Sequence, residues 1–165
     1  MNKHLYFVCP TDNLETVINN KFHQENYYLT SLGNSINFRP ELINEINSLL
    51  EAKNITNITF ILSQNNLMIL DALKSQYYNN TKGLKTFYNI ITKEKNLSKT
   101  LWMTSDIQYL IIVYYLNLKI RELKLGLNNW FKDKVKVKAK IYNKKDNTFN
   151  EIHHNLLSLE QFILN

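Results

Sequence analysis

The stretch "ITFILSQNNLMILDAL", residues 58–73, joins a strand pattern directly to a helix pattern. Residues 58–62 are almost wholly apolar and rich in β-branched side chains, which is typical of a strand that is covered on both faces. The polar segment "SQNN" follows, and apolar residues with helical spacing begin at Leu67. Because parallel strands need a crossover connection, usually a helix, this pattern favours an α/β fold.

The same alternation of strand and helix patterns extends along most of the chain. Short apolar runs bounded by turn signals predict strands over residues 4–9, 27–30, 58–62 and 135–142. Apolar residues with helical spacing predict helices over residues 13–20, 40–52, 66–76, 81–96 and 106–127. Thr11 or Asp12 is expected to cap the first of these helices. The fold class predicted is a mainly parallel central sheet flanked by helices.

The end of the chain predicts a different kind of strand. Residues 135–142, "VKVKAKIY", alternate strictly between apolar side chains and Lys or Tyr, which indicates a half-exposed strand. We expect this strand at an edge of the sheet, where Lys discourages unwanted pairing. The segment "NKKDN" predicts a turn, after which "TFNEI" would pair back as an antiparallel hairpin.

Length and composition limit the class of protein. A chain of 165 residues fits one domain, residues 1–165, with a core of its own. Cys9 is the only cysteine, so an internal disulfide is excluded and a reducing compartment is expected. The amino-terminal apolar run is too short for a signal peptide, and the longest apolar run, residues 109–118, is about half of a membrane crossing. We therefore expect a cytoplasmic protein without a membrane segment.

The formal net charge of +6 raises the question of nucleic acid as a partner. The lysines are scattered, however, and the one dense run coincides with the alternating strand. A basic nucleic-acid-associated module is therefore only a weaker alternative.

The polar segment after the third strand carries the first candidate site. Gln64, Asn65 and Asn66 follow Ser63 where the strand meets the helix, and the carboxyl ends of strands are where α/β proteins bind ligands. These amides would suit a small neutral or anionic ligand, with backbone N–H groups of the helix start favouring an anion. The alternative is that they only cap the helix.

Four motifs in order resemble the β-class carbonic anhydrases. That family has C-x-D-x-R and R-N-A-G-N after its first two strands, G-H-S-x-C-G at a helix start, and a closing strand with a turn. Here "FVCPTD", "YYLTSLGNS", "FILSQNNLMILDAL" and "VKVKAKIYNKKDNTFNEI" stand in the same sequence. The resemblance covers most of the chain and implies the same fold, built into dimers.

The resemblance implies a zinc site that this sequence does not complete. Members of the family bind zinc through two thiolates and an imidazole, and the metal makes hydroxide available near neutral pH. Cys9 stands at the first ligand, but Gln64 replaces the histidine and Leu67 replaces the second cysteine. No metal or cofactor is therefore expected, nor zinc-dependent carbonic anhydrase activity. If the cavity has closed, Leu67 and Met68 would fill it.

The other residues of the family's motifs are also changed. Thr11 and Asn13 stand where Asp and Arg are expected, with Asp12 displaced by one residue. Thr30 replaces an arginine, and only Gly33 and Asn34 are kept from the second motif. The candidate pocket therefore comprises the residues at these strand ends: Cys9, Thr11, Asp12, Gly33, Asn34, Ser63, Gln64, Asn65 and Leu67.

The sequence thus predicts a non-catalytic, metal-free protein of β-carbonic-anhydrase type that binds a small ligand or acts through assembly. A homodimer is expected, with the apolar residues 156–164 as a candidate contact. The alternative is an enzyme of different chemistry in the same cleft, using Cys9 as nucleophile beside Asp12.

Overall fold

The computed structural model of this chain describes residues 2–101 and 107–152, without the side chains of residues 99–101 and 130. The strands are β1 (Lys3–Val8), β2 (Glu25–Thr30), β3 (Asn57–Ser63), β4 (Lys136–Asn143) and β5 (Thr148–Glu151). The helices are α1 (Glu15–Lys21), α2 (Pro40–Lys53), α3 (Leu67–Leu73), α4 (Lys85–Leu101), α5 (Ile107–Gly126) and α6 (Asn129–Lys132). Two 3-10 turns, Pro10–Asp12 and Leu32–Asn34, follow β1 and β2.

The five strands form one sheet in the order β2-β1-β3-β4-β5. The first four strands are parallel, and β5 pairs with β4 in the antiparallel direction. Phe7 of β1 stands opposite Leu29 of β2 and Phe60 of β3. This arrangement confirms the predicted fold class, and it brings the carboxyl ends of β1, β2 and β3 to the same edge of the sheet.

The prediction that the Lys-rich strand lies at an edge is wrong. β4 is an interior strand between β3 and β5. Its alternation reflects a lightly covered sheet face: Lys138 pairs with Glu151 at 2.7 Å, and the Lys140 ammonium lies 4.9 Å from the centre of the Phe22 ring. These contacts engage two lysines of the basic run within the protein.

Alternate residues of β1 face two separate cores. Leu5, Phe7 and Cys9 belong to the larger core, with helices α2 to α5 on that side, and the Phe7 ring stacks on Phe60 at 4.5 Å. Tyr6 and Val8 face the opposite way and pack in a smaller core beneath α1. Because the larger core surrounds Cys9, the end of β1 is enclosed by protein.

Several predicted helix boundaries are shifted. Neither Thr11 nor Asp12 caps α1, because both lie in the 3-10 turn and Asn13 takes a left-handed conformation with φ 51° before the helix begins. α3 ends at Leu73 instead of residue 76, where the Asp71 carboxylate accepts hydrogen bonds from the backbone of residues 77 and 78. α4 begins at Lys85, four residues later than expected.

Some sequence predictions fall outside the described residues. They concern the start of the fifth predicted helix at residue 106 and the apolar segment 156–164.

Within the described ranges, none of the helices combines the length and the apolar character that a membrane crossing requires.

His4 is a half-buried titratable group on the sheet face that also carries Tyr6 and the smaller core. Its Nε2 lies 2.8 Å from Thr59 Oγ1, and its ring stacks on Tyr6 at 4.2 Å. Burial, with the positive charge of Lys140 as a smaller cause, lowers the pKa of His4 to about 4. Below pH 6.5 the unfolded chain therefore binds a proton that the folded chain does not accept until about pH 4.

We expect the free energy of unfolding to fall as the pH is lowered from about 6.5 to about 4, by about 1–2 kcal/mol from His4 after solvent screening. Urea unfolding of the wild type and of His4→Gln across this range measures the effect. The variant should show a smaller decrease with acidification, because Gln does not titrate.

His23→Gln is the matched control, since His23 is exposed. The free energy of unfolding of this variant should change with pH as it does in the wild type. Equal slopes for His4→Gln and the wild type would contradict the prediction.

Candidate functional site

Cys9 follows β1 directly and is fully buried. Its Sγ accepts a hydrogen bond from the backbone N–H of Gly33 at 3.1 Å and lies 3.1 Å from Thr11 Oγ1. The thiol therefore ties the end of β1 to the turn after β2, and solvent does not reach it.

Gly33 fits a space that admits no side chain. A Cβ placed on it would lie 2.9 Å from Cε2 of Phe87 and 3.2 Å from Cβ of Met68, and its φ of +59° is left-handed. Met68 is buried beside the turn, as predicted for a closed cavity. Leu67 does not contribute to this filling, since its side chain is 60 % exposed. That part of the prediction is wrong, because α3 turns Leu67 to solvent.

Asn34 fastens the same turn to two strands. Its Nδ2 donates to the carbonyl oxygens of Phe7 at 3.3 Å and Ile61 at 3.0 Å. Its own carbonyl oxygen accepts a hydrogen bond from the Tyr115 hydroxyl at 3.0 Å. The residue has a φ of 53°, a conformation that Asn tolerates better than most residues. Asn34 is thus a structural link between β1, β3 and α5.

Asp12 connects the end of β1 to the end of β3. Its Oδ2 accepts the backbone N–H of Ser63 at 2.8 Å, and its Oδ1 accepts Nδ2 of Asn66 at 3.0 Å. Burial raises the pKa of Asp12, while these two hydrogen bonds act in the opposite direction. Both carboxyl oxygens are engaged within the protein.

Asn66 is the residue at the helix start that faces Asp12. Its side chain is fully buried, and its Oδ1 accepts the backbone N–H groups of Met68 at 3.1 Å and Ile69 at 3.0 Å. It therefore caps α3 while its amide nitrogen binds Asp12. The sequence-based pocket did not include Asn66, although an Asn directly before an apolar helical run is itself a capping signal.

Among the described residues, the structure gives no side-chain hydrogen bond to the cluster from Gln64 or Asn65. Gln64 is held through its backbone, whose N–H donates to the Tyr142 carbonyl at 2.9 Å and whose oxygen accepts Nε2 of Gln108 at 2.6 Å. Asn65 is exposed. Hydrogen bonds join six of the nine predicted pocket residues in the cluster at the strand ends. Three are buried and three are partly exposed: Cys9, Gly33 and Asn34, and Thr11, Asp12 and Ser63, respectively.

The cluster has one soft metal donor. Over residues 2–101 and 107–152, no group of three or more His, Cys, Asp and Glu side chains is placed to hold a metal ion. A zinc site needs at least three protein ligands, so these residues do not fit the metal that the resemblance implies. The arrangement suits holding three strand ends together.

Removing the bridging amide tests this interpretation. Asn66→Ala deletes the α3 cap and leaves the partly buried Asp12 carboxylate without one donor. The free energy of unfolding should fall by about 2–4 kcal/mol, as measured by urea denaturation at neutral pH.

Asn65→Ala is the matched control, because it removes the same side chain from the neighbouring exposed position. It should change the stability by less than about 0.5 kcal/mol. Equal losses for the two variants would show that the buried bridge is not what stabilises this end of the sheet.

Solved structures similar to this chain include carbonic anhydrases. Tetrameric β-carbonic anhydrase from the filamentous ascomycete Sordaria macrospora gives a TM-score of 0.71 at 13% identity, over 92% of this chain and 80% of that chain. Wild-type β-carbonic anhydrase CafD of Aspergillus fumigatus gives 0.66 at 13% identity, over 93% and 90%. Carbonic anhydrase from Streptococcus mutans gives 0.53 at 10% identity, over 91% and 81%.

No protein-family profile and no curated protein matches the sequence. The similarity is therefore one of architecture, and it extends over nearly the whole length of both chains. Together with the sheet order, it shows that this protein has the fold of the β-class carbonic anhydrases.

Proposed function

We propose that this protein is a metal-free, non-catalytic protein of β-carbonic-anhydrase fold that acts by binding or by assembly. The observation that carries the proposal is the closed state of the cluster at the strand ends. Cys9, its one thiol, is buried and hydrogen-bonded, and both oxygens of Asp12 bind donors of the protein itself.

Aligning Asn66 instead of Leu67 with the family's second cysteine does not restore a metal site. The sequence comparison placed Leu67 at the second thiolate, whereas Asn66 is the residue that reaches Asp12. A hydrocarbon and a primary amide both lack the anionic sulfur that zinc requires. Either assignment therefore leaves the cluster one thiolate and one imidazole short of the family's ligand set.

The contacts also weigh against the alternative enzyme built on Cys9 and Asp12. A nucleophilic thiol needs access and a neighbouring base. Cys9 is fully buried, and of the two histidines in the described ranges, His4 lies on the opposite sheet face beside Thr59 while His23 is exposed.

Metal analysis tests the proposal directly. Protein incubated with excess Zn²⁺ and then desalted should retain far less than one zinc per chain by mass spectrometry. CO2 hydration should not be accelerated above the buffer rate, because no site generates hydroxide. A known β-carbonic anhydrase carried through the same steps is the positive control. Stoichiometric zinc, or a CO2 hydration rate that a chelator abolishes, would overturn the proposal.

An apolar surface at α3 supports the assembly part of the proposal. Leu67 is 60 % exposed, and Tyr77 and Tyr78 are 78 % and 47 % exposed. Leu67 and Asp71 lie four residues apart on one face of α3, and the Asp71 carboxylate holds the backbone of both tyrosines. Leu67, Tyr77 and Tyr78 are thus exposed large apolar side chains on α3 and in the segment that Asp71 holds to it, and we call these three residues the α3 patch. Such patches mark interaction sites.

We propose that the α3 patch joins two copies of the chain, in keeping with the tetrameric assembly of the Sordaria proteins. Light scattering should give twice the 19.6 kDa of one chain, and Leu67→Glu should shift the protein toward the monomer, because it would bury a charge in the contact.

Leu125→Glu is the matched control. Leu125 is 81 % exposed and lies outside the patch, so this variant should keep the dimer. A wild-type monomer, or equal dissociation of both variants, would contradict the assignment of the patch.

A further inference from the structure

A second concave site lies away from the strand-end cluster. Residues 35–39 form one wall, and Gly83 with the first turns of α4 forms a second. Helix α5 lines the rest with Tyr115, Lys119, Glu122 and Leu125. The cavity has a volume of about 550 Å³ and adjoins a further cavity of about 690 Å³, with Arg39 and Gly83 in the walls of both. We call the 550 Å³ cavity the loop groove. Its size is that of small-molecule sites in proteins.

The apolar walls of the loop groove are fixed in place. Phe38 stands edge-on to Phe7 and Phe60 of the core, with ring centres 6.0 and 6.2 Å apart. On the facing wall, the ring of Phe87 packs edge-on against Tyr115 at 5.3 Å. A ligand would therefore enter a preformed site and would not have to order these side chains.

Lys119 from α5 places a buried positive charge in this groove. The residue is 5 % exposed, and its Nζ donates to the carbonyl oxygen of Ile36 at 2.9 Å and to Glu122 at 2.8 Å. It also lies 5.5 Å from the ring centre of Tyr115. The ammonium group is thus held at a defined position beside aromatic surface.

The charges that line the loop groove are unequal. Arg39, Lys85 and Lys119 are opposed by Glu122 alone. Arg39 and Lys85 are exposed, and neither forms an ion pair within the described part of the chain. The groove therefore carries an excess of two positive charges over apolar walls, which favours an anion.

We propose that the loop groove binds a small organic anion, a carboxylate on an aromatic or branched apolar body. The carboxylate would lie near Arg39 and Lys85, and the apolar body would lie against Phe38 and Leu125. Leu125 is the most exposed large apolar side chain of the described residues, and it lines this groove. Covering it with a ligand removes apolar surface from water.

The proposed site is separate from the strand-end cluster and does not depend on the loss of zinc. The turn at residues 33–34 lies between them: the Gly33 N–H binds Cys9, and the Asn34 carbonyl accepts the hydroxyl of Tyr115. The two sites therefore share a supporting turn, and the side chains Cys9, Asp12 and Asn66 of the cluster do not line the loop groove.

Titration of the ¹⁵N-labelled full chain with 2-naphthoate tests the proposal. Backbone amide shifts should change over residues 35–39 and 83–87 and saturate. Arg39→Gln should weaken binding roughly tenfold by loss of a charged partner, and Leu125→Glu should weaken it at least as much by placing a like charge in the groove.

Lys74→Gln is the matched control, because Lys74 is exposed and lies outside the groove. Its affinity for 2-naphthoate should stay within about twofold of the wild type. All three substitutions are at exposed positions, and an unchanged amide spectrum in the absence of ligand verifies the fold of each.

Four results would overturn the proposal. The first is an absence of saturable shifts in a folded protein. The second is equal affinity for the neutral 2-naphthamide. The third is a set of backbone amide shifts that change at residues outside the groove. The fourth is dissociation of a dimer by Leu125→Glu, which would make the groove a contact between copies. A finding of bound zinc at the strand ends would leave this proposal intact, so the metal-free assignment and the groove fail separately.

Discussion

The hydrogen bonds of the Asp12 carboxylate join the ends of β1 and β3, and the rest of the structure depends on this connection. Parallel strands diverge where they leave the sheet, so their carboxyl ends need a separate connection. In this protein the connection is made by hydrogen bonds, from Asp12 to the backbone of Ser63 and to the side chain of Asn66. Asn66 in turn caps α3, so one pair of side chains fixes a strand end, a turn and a helix start. Because the carboxylate is partly buried, each hydrogen bond matters more than it would in water.

That connection has a consequence for function. In the resembled family, the same strand ends supply ligands to a metal, which links them through coordination. In this chain the linking groups are an amide, a carboxylate and backbone N–H groups, and Gly33 brings Met68 and Phe87 against the turn. The proposed loss of zinc chemistry therefore does not leave an empty cleft. The strand ends are instead joined by polar contacts of the protein itself, and the surfaces that we propose for binding are the loop groove and the α3 patch.

Individual residues show how far the sequence could predict the site. The sequence placed Cys9, Asp12, Gly33 and Asn34 near strand ends, because each lies at the end of a strand pattern or within four residues after it. It did not identify Asn66 as the partner of Asp12, nor Leu67 as exposed. The two residues are adjacent, and the helical pattern alone does not say which one faces the neighbouring strand end. It likewise placed the Lys-rich strand at an edge, because alternation reports the burial of a strand's faces and not the number of its partners.

The sequence by itself determined the alternating order of the strands and the longer helices, and the two faces of the Lys-rich strand. Those features depend on periodicity, which is a local property of the chain. The tertiary structure decided which side chains meet. Asp12 contacts Ser63 and Asn66, which lie 51 and 54 positions later in the sequence, and Lys119 contacts the carbonyl of Ile36. Such contacts follow from strand order and register. These are set by the packing of all the elements together, so no short segment encodes them.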